Sequence, residues 1–283
     1  MNIRRLSLAA FLLIAAASTL RGAPTPPPTY EGHVRASLIS DVSNIRAGRA
    51  FTIGVLLEIE QGWHIYWTNP GDSGMPTTVT FKAPEGFEAV PDPFPIPARI
   101  RHGKETAYGY ERPVVFTAKV TPPVDLRIGD RVTFEASAAW LVCKDTCLPG
   151  KATESLTMKV ADRTGPTNVD LFQRNATTVA GPNDRLNDIA GVRGTIDPKT
   201  HIATLTIHWK TPCTGVQVFP GAVDGVTVDK ITVKKTEDDL TPITMKIEIT
   251  PDQKPAANRL PLLISFRDSE GHMRGLQANV PVK

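Results

Sequence analysis

The chain has 283 residues, 41% hydrophobic and 22% charged, which is too apolar for wholesale disorder. Its 25 prolines and 21 glycines, set against 6% aromatics, favour turns and short strands over long helices. The formal charge of +3 comes from Arg4, Arg5 and Arg21. Residues 24–283 hold 29 basic and 29 acidic side chains, a balance without a basic run that argues against a nucleic-acid partner.

Residues 1–23 begin Met1-Asn-Ile-Arg-Arg and continue with an apolar run from Leu6 to Leu20. A charged start before a short apolar run is the pattern of a secretory signal, and the run is shorter than the ~20 residues of a membrane span. Cleavage after Ala23 would place Arg21 and Pro24 beside the cut. Cleavage after Ser18, or an uncleaved anchor, is the alternative. The remainder is expected outside the cytosol, in the periplasm of a bacterium, where disulfides persist.

Residues 24–30 are a proline-rich, extended leader. Strand-like alternation follows at Val34, Ala36, Leu38 and Ser40, and at Phe51, Ile53 and Val55. Residues 77–82 and 113–120 also read as strands, separated by turn signals at Asn69-Pro70-Gly71-Asp72, Pro84-Glu85-Gly86 and Gly129-Asp130. From Arg131 to Val142, apolar residues occupy every second position, with Val132, Phe134, Ala136, Ala138, Trp140 and Val142 on one face. A further strand is read at Thr153–Val160. These segments predict one β-sandwich over residues 24–162. Residues 163–185 read as a linker with a short helix, Asn168–Val179, ended by Gly181-Pro182. Strands at Gly191–Ile196, Ile202–Lys210, Val216–Phe219, Val226–Val233, Ile243–Ile249 and Leu260–Phe266 predict a second, immunoglobulin-like sandwich over 186–283. The fold class is therefore all-β, in two sandwiches.

Cys143 and Cys147 form a C-x-x-x-C pair between two strands. A tight turn brings such cysteines within disulfide reach. So small a loop contributes little as a staple, and a turn-borne bond suits redox exchange. A static disulfide and a metal site remain open beside that reading. Cys143 and Cys147 with a histidine, His64 or His102, and with Met75 near His64, would suit copper(I) or zinc. Gly71-Asp72-Ser73-Gly74 imitates the serine loop of trypsin-like proteases, but only about fifty mature residues precede Ser73, where such enzymes place two barrels of chain. Turn chemistry explains it. Cys213 reads as a packed thiol. Phosphate loops, paired catalytic carboxylates and dinucleotide fingerprints are not evident, and no cofactor is expected.

Four stretches, taken together, resemble a known family: Gly62-Trp-His-Ile-Tyr-Trp-Thr-Asn-Pro-Gly-Asp-Ser-Gly-Met-Pro76, Arg99-Ile-Arg-His-Gly103, Tyr108-Gly-Tyr-Glu111 and Trp140-Leu-Val-Cys-Lys-Asp-Thr-Cys147-Leu-Pro. Over roughly residues 30–160 they resemble the N-terminal periplasmic domain of the disulfide-interchange reductase DsbD, in particular its ScsB branch, associated with copper-stress suppression. A weaker likeness continues through Leu171-Phe-Gln-Arg and Val218-Phe-Pro220.

The resemblance implies an immunoglobulin-like domain whose disulfide, Cys143–Cys147, carries electrons as a protein-disulfide reductase. The donor would be a membrane-embedded reductase, here on a separate chain because this one stops at Lys283. The acceptors would be thioredoxin-fold proteins, with Cys147 holding the mixed disulfide. It further implies a cap over about Ile100, Arg101, His102 and Gly103, with Tyr66 and Trp67 packed beside the pair. Where DsbD carries acidic and aromatic residues in its cap, this chain carries basic ones and a histidine.

Overall fold

The computed structural model describes residues 32–178, 189–197, 199–237, 239–249 and 257–281. The leader and the Gly181-Pro182 helix stop lie outside them. The first part of the chain forms β1 (Val34–Ser40), β2 (Phe51–Ile59), β3 (His64–Gly71), β4 (Thr78–Lys82), β5 (Glu88–Pro91), β6 (Ala98–His102), β7 (Glu105–Tyr110), β8 (Val114–Thr121), β9 (Arg131–Cys143) and β10 (Cys147–Lys159). The helix α1 (Val169–Thr178) follows. Then come β11 (Ile189–Asp197), β12 (Ile202–Trp209), β13 (Thr214–Pro220), β14 (Val226–Val233), β15 (Leu240–Ile249), β16 (Arg259–Arg267) and β17 (Met273–Pro281). The protein is all-β and immunoglobulin-like, and every strand pairing is antiparallel.

Two sheets make the first sandwich. One runs β1-β2-β8-β5. The other runs β10-β9-β3-β7-β6, with β4 on the flank of β9. Alternation in β9 decides the packing. Phe134, Ala136, Ala138, Trp140 and Val142 point inward and are buried, while Thr133, Glu135, Ser137 and Ala139 point out and are exposed. They meet Ile53, Val55 and Leu57 of β2 and Phe116 of β8 in one core. Phe134 is its centre, with Phe51 and Phe87 edge-on at 5.7 and 5.4 Å.

Gly54 and Leu56, on the other face of β2, are buried too, which simple alternation does not predict. At Gly54, α1 contributes to the cover. A Cβ on Gly54 would stand 3.4 Å from the Phe172 ring, so the helix lies over this strand. The Asn175 amide donates to the Thr117 hydroxyl on β8 at 3.3 Å. Residues 164–168, read as linker, are strapped to the first sandwich. The Thr167 hydroxyl and the Asn168 amide both donate to the Ser40 carbonyl, at 2.8 and 3.0 Å.

The remaining strands form two sheets, β11-β12-β15-β14 and β13-β16-β17. Their inward residues, among them Leu205, Ile207, Trp209, Ile243, Met245, Ile264 and Phe266, make a second core. Phe219 of β13 and its cross-strand partner Leu263 of β16 are the exceptions. Both pack with the first core, Phe219 edge-on to Tyr108 at 5.5 Å and to Trp67 at 6.4 Å. Among the described residues, no helix is long and apolar enough to cross a membrane.

Candidate functional site

The hairpin β9–β10 is longer than its sequence signals suggest. Thirteen consecutive residue pairs run from Arg131–Lys159 to Cys143–Cys147. The second strand therefore begins at Cys147 rather than Thr153. Pro149 is tolerated because β10 is the end strand of its sheet. Lys144, Asp145 and Thr146 close the turn, with the Lys144 amide donating to the Thr146 carbonyl at 3.1 Å. Cys143 and Cys147 are thus direct cross-strand partners. Their Cα atoms are 4.2 Å apart and their sulfurs are bonded.

The two cysteines live in different surroundings. Cys147 is exposed, and so is Leu148 beside it. Cys143 is only 2% exposed. By parity it belongs to the outer face of β9, with Thr133, Glu135 and Ser137, and that face is wet elsewhere. At Cys143 a separate patch covers it: Tyr66 of β3, Ile100 of β6 and Ala107 of β7, with Leu141 alongside. Ile100 and Ala107 are themselves cross-strand partners in the β6–β7 hairpin. That hairpin therefore roofs one sulfur and leaves the other open.

The Gly71-Asp72-Ser73-Gly74 segment clasps this roof. The Asp72 amide donates to the Thr106 carbonyl at 3.0 Å, and the Asp72 carboxylate accepts from the Thr106 amide at 2.8 Å. The Ser73 hydroxyl donates to Glu105 at 2.9 Å. Gly74, at φ +105°, lies so close to the Tyr66 ring that a Cβ there would collide with it. Asn69 and Pro70, read as a turn, belong to β3. They fall in an irregularity of its pairing with β7, between Tyr66 and Gly71. There the Asn69 side-chain oxygen accepts from the Gly71 amide at 3.0 Å.

The structure brings Tyr66 to the cysteines and not Trp67. Neighbours on a strand point to opposite faces, so Trp67 enters the main core. Arg101 is exposed, and by parity it lies on the face of β6 opposite Ile100. His102 ends β6 opposite Glu105, and Gly103 takes the positive φ of the turn, +58°. His64 sits directly across from Cys143 in the β3–β9 register, 3% exposed and edge-on to Tyr66 at 5.1 Å. Met75 is exposed. Cys213 is buried in the second core, its thiol 3.6 Å from the Thr211 carbonyl. Among the described residues, no group of three or more His, Cys, Asp or Glu side chains could hold a metal ion.

Ile100 lies in the stretch that the resemblance gave as a cap, but Ala107 and Leu141 escaped the sequence reading, because nothing local marks an aliphatic residue as the lid of a distant cysteine. The chemical result is an asymmetric disulfide. Cys147 is the residue of the pair that faces solvent. A thiolate under an apolar roof is disfavoured by desolvation. Burial, and secondarily the Glu105 carboxylate, raise the Tyr66 pKa above the ordinary 10.0, so the roof keeps a neutral phenol at physiological pH.

Comparison with known proteins agrees with this geometry. Residues 36–159 match the family described as thiol:disulfide interchange protein DsbD, N-terminal. No curated protein sequence matches the chain significantly. Among solved structures, the N-terminal periplasmic domain of ScsB from Proteus mirabilis superposes with a TM-score of 0.59 at 14% identity, covering 88% of this chain and 92% of that one. The major pilin subunit of Bacillus cereus, at 8% identity over 88% of this chain and 67% of that one, reaches a TM-score of only 0.27 and carries no argument. The family match over residues 36–159, which contain the bonded pair, marks a domain of the thiol–disulfide interchange class. Residues 36–159 form a DsbD/ScsB-like N-terminal domain.

Proposed function

We propose that this chain is an exported, periplasmic electron-transfer module, a protein-disulfide reductase. It takes two electrons from a membrane-embedded reductase and passes them to thioredoxin-fold proteins. The observation that carries the reading is the asymmetry of the Cys143–Cys147 bond, one sulfur open and the other roofed, inside a DsbD-like domain. In the loading step, a donor thiolate attacks the Cys147 sulfur and the Cys143–Cys147 bond breaks. Cys143 departs as thiolate and takes up a proton from water. The donor's second thiolate then attacks the mixed disulfide and releases Cys147, which is protonated in turn. Donor dithiol has become disulfide, and this chain carries the two electrons and two protons. Delivery is the same sequence in reverse, with an acceptor disulfide.

Trapping tests it. With Cys143→Ser, Cys147 should hold a stable mixed disulfide with a thioredoxin-fold partner. With Cys147→Ser, the roofed Cys143 should give little. Absence of a mixed disulfide in both variants, or a reduction potential for the pair well below about −300 mV, would mark an inert structural bond and overturn the reading.

A further inference from the structure

The roof over Cys143 has a second side. Residues on β6 and β7 alternate, so Ile100 and Ala107 face the cysteine while Arg99 and Tyr108, the adjacent cross-strand pair, face the other way. There they meet β13. The Tyr108 ring is edge-on to Phe219 at 5.5 Å, and Phe219 is 1% exposed. The Arg99 guanidinium donates to the Val218 carbonyl at 3.2 Å and lies over the Tyr108 ring at 5.9 Å. On β3, Trp67 also meets Phe219, and the Asn69 amide donates to the Pro220 carbonyl at 2.9 Å. Three consecutive residues of β13 therefore grip β3, β6 and β7. Those same strands supply Tyr66, Ile100 and Ala107 to the roof.

We propose that Phe219 is a positioning residue of the exchange site. Wedged beneath β3 and β7, it latches the roof over Cys143, so that the second group of sheets sets how readily the covered sulfur is uncovered. The physical basis is close packing. A two-stranded hairpin at a sheet margin is marginal by itself, and local opening follows the contacts that hold it. Removing a buried ring leaves a cavity that the surroundings fill only in part. The inference rests on the exchange reading of the pair, but its test does not need a partner protein.

The full chain is reduced with a phosphine and pulsed with iodoacetamide, and labelling is read by mass spectrometry. Trypsin cuts after Lys144, which puts the two cysteines on separate peptides. In the native chain Cys147 should label fast and Cys143 slowly. Phe219→Ala should speed Cys143 on the order of tenfold and leave Cys147 unchanged, because local opening adds directly to the labelling rate of a covered group. Phe219→Leu, which keeps most of the apolar volume, should lie between.

The control is Phe266→Leu, which loosens the second core at a ring packed on Trp209 at 4.7 Å, away from the latch. It should not move the ratio. Should Phe219→Ala fail to fold, Asn69→Ala is the second probe, with a smaller rise expected at Cys143. An unchanged Cys143 rate in the folded latch variants overturns the proposal, and so does an equal rise in Phe266→Leu. Failure of partner trapping alone would instead overturn the exchange reading and leave the latch standing.

Discussion

Reducing the Cys143–Cys147 bond should leave the protein folded. The bond spans a sequence separation of only 4. In the chain-entropy picture, closing so short a loop removes about 6 cal/mol/K from the unfolded chain, or about 2 kcal/mol at 25 °C. The hairpin that carries it is held independently by thirteen cross-strand pairs and by the inward row Phe134 to Val142. A domain stability of about 5–15 kcal/mol survives a loss of that size. For a chain of this length the melting temperature should fall by about 3–4 °C. The assay is a thermal melt of the full chain with and without phosphine, followed by near-ultraviolet circular dichroism, beside the Cys143→Ser/Cys147→Ser double variant. Loss of cooperative unfolding, or a fall beyond about 20 °C on this scale, would show that the bond is a structural staple and refute the reasoning.

Gly74→Val should push the Tyr66 ring off the roof, since a Cβ there collides with it. The cost should be about 1–3 kcal/mol by overpacking, visible as a lowered melt together with faster Cys143 labelling. An unchanged melt would count against the clasp. Gly109→Ala places a Cβ against the Ile65 carbonyl, in the β3–β7 pairing, and should yield protein without a native near-ultraviolet spectrum. The tyrosines set a pH limit. Burial, foremost, raises the phenol pKa of Tyr66, Tyr108 and Tyr110 above the ordinary 10.0. Below about pH 10 both folded and unfolded chains keep these phenols neutral, so they leave stability flat there. Above it the unfolded chain ionises first, and stability falls as pH rises toward the shifted values. Denaturant midpoints that stay constant to pH 11, with absorbance at 295 nm showing free ionisation of these phenols, would contradict that.

Much of the fold was legible because β9 states its pattern plainly. Bulky residues at Phe134, Trp140 and Val142 alternate with Thr133, Glu135 and Ser137, and no packing detail is needed to read that period. β3 was hidden because Asn69-Pro70-Gly71 has the chemistry of a turn, and only pairing with β7 makes it a strand. β17 was hidden because a small residue, Ala278, sits between Leu276 and Val280 on the inward row and carries little hydrophobic signal. At the site, the sequence marked the cysteine pair, and the resemblance named Cys147 as the partner-bound sulfur, but nothing in it showed what covers Cys143. Cys143 has the parity of exposed residues, and what buries it comes from β3, β6 and β7, far away along the chain. The place of Phe219 in the first core is equally non-local. A Val-Phe-Pro run reads as an ordinary strand core until the two groups of sheets meet.

β10 forms the margin of its sheet for thirteen residues and begins at the open cysteine. Long bare margins invite other copies to stack on them and nucleate aggregates. Here Pro149 withholds a backbone donor near the redox end, and Lys151, Glu154 and Lys159 place charge along the rest. The exposed cysteine thus stands at one tip of the strand, while a second copy sliding alongside the rest of it meets charges and an imino acid, which disfavours edge-to-edge stacking.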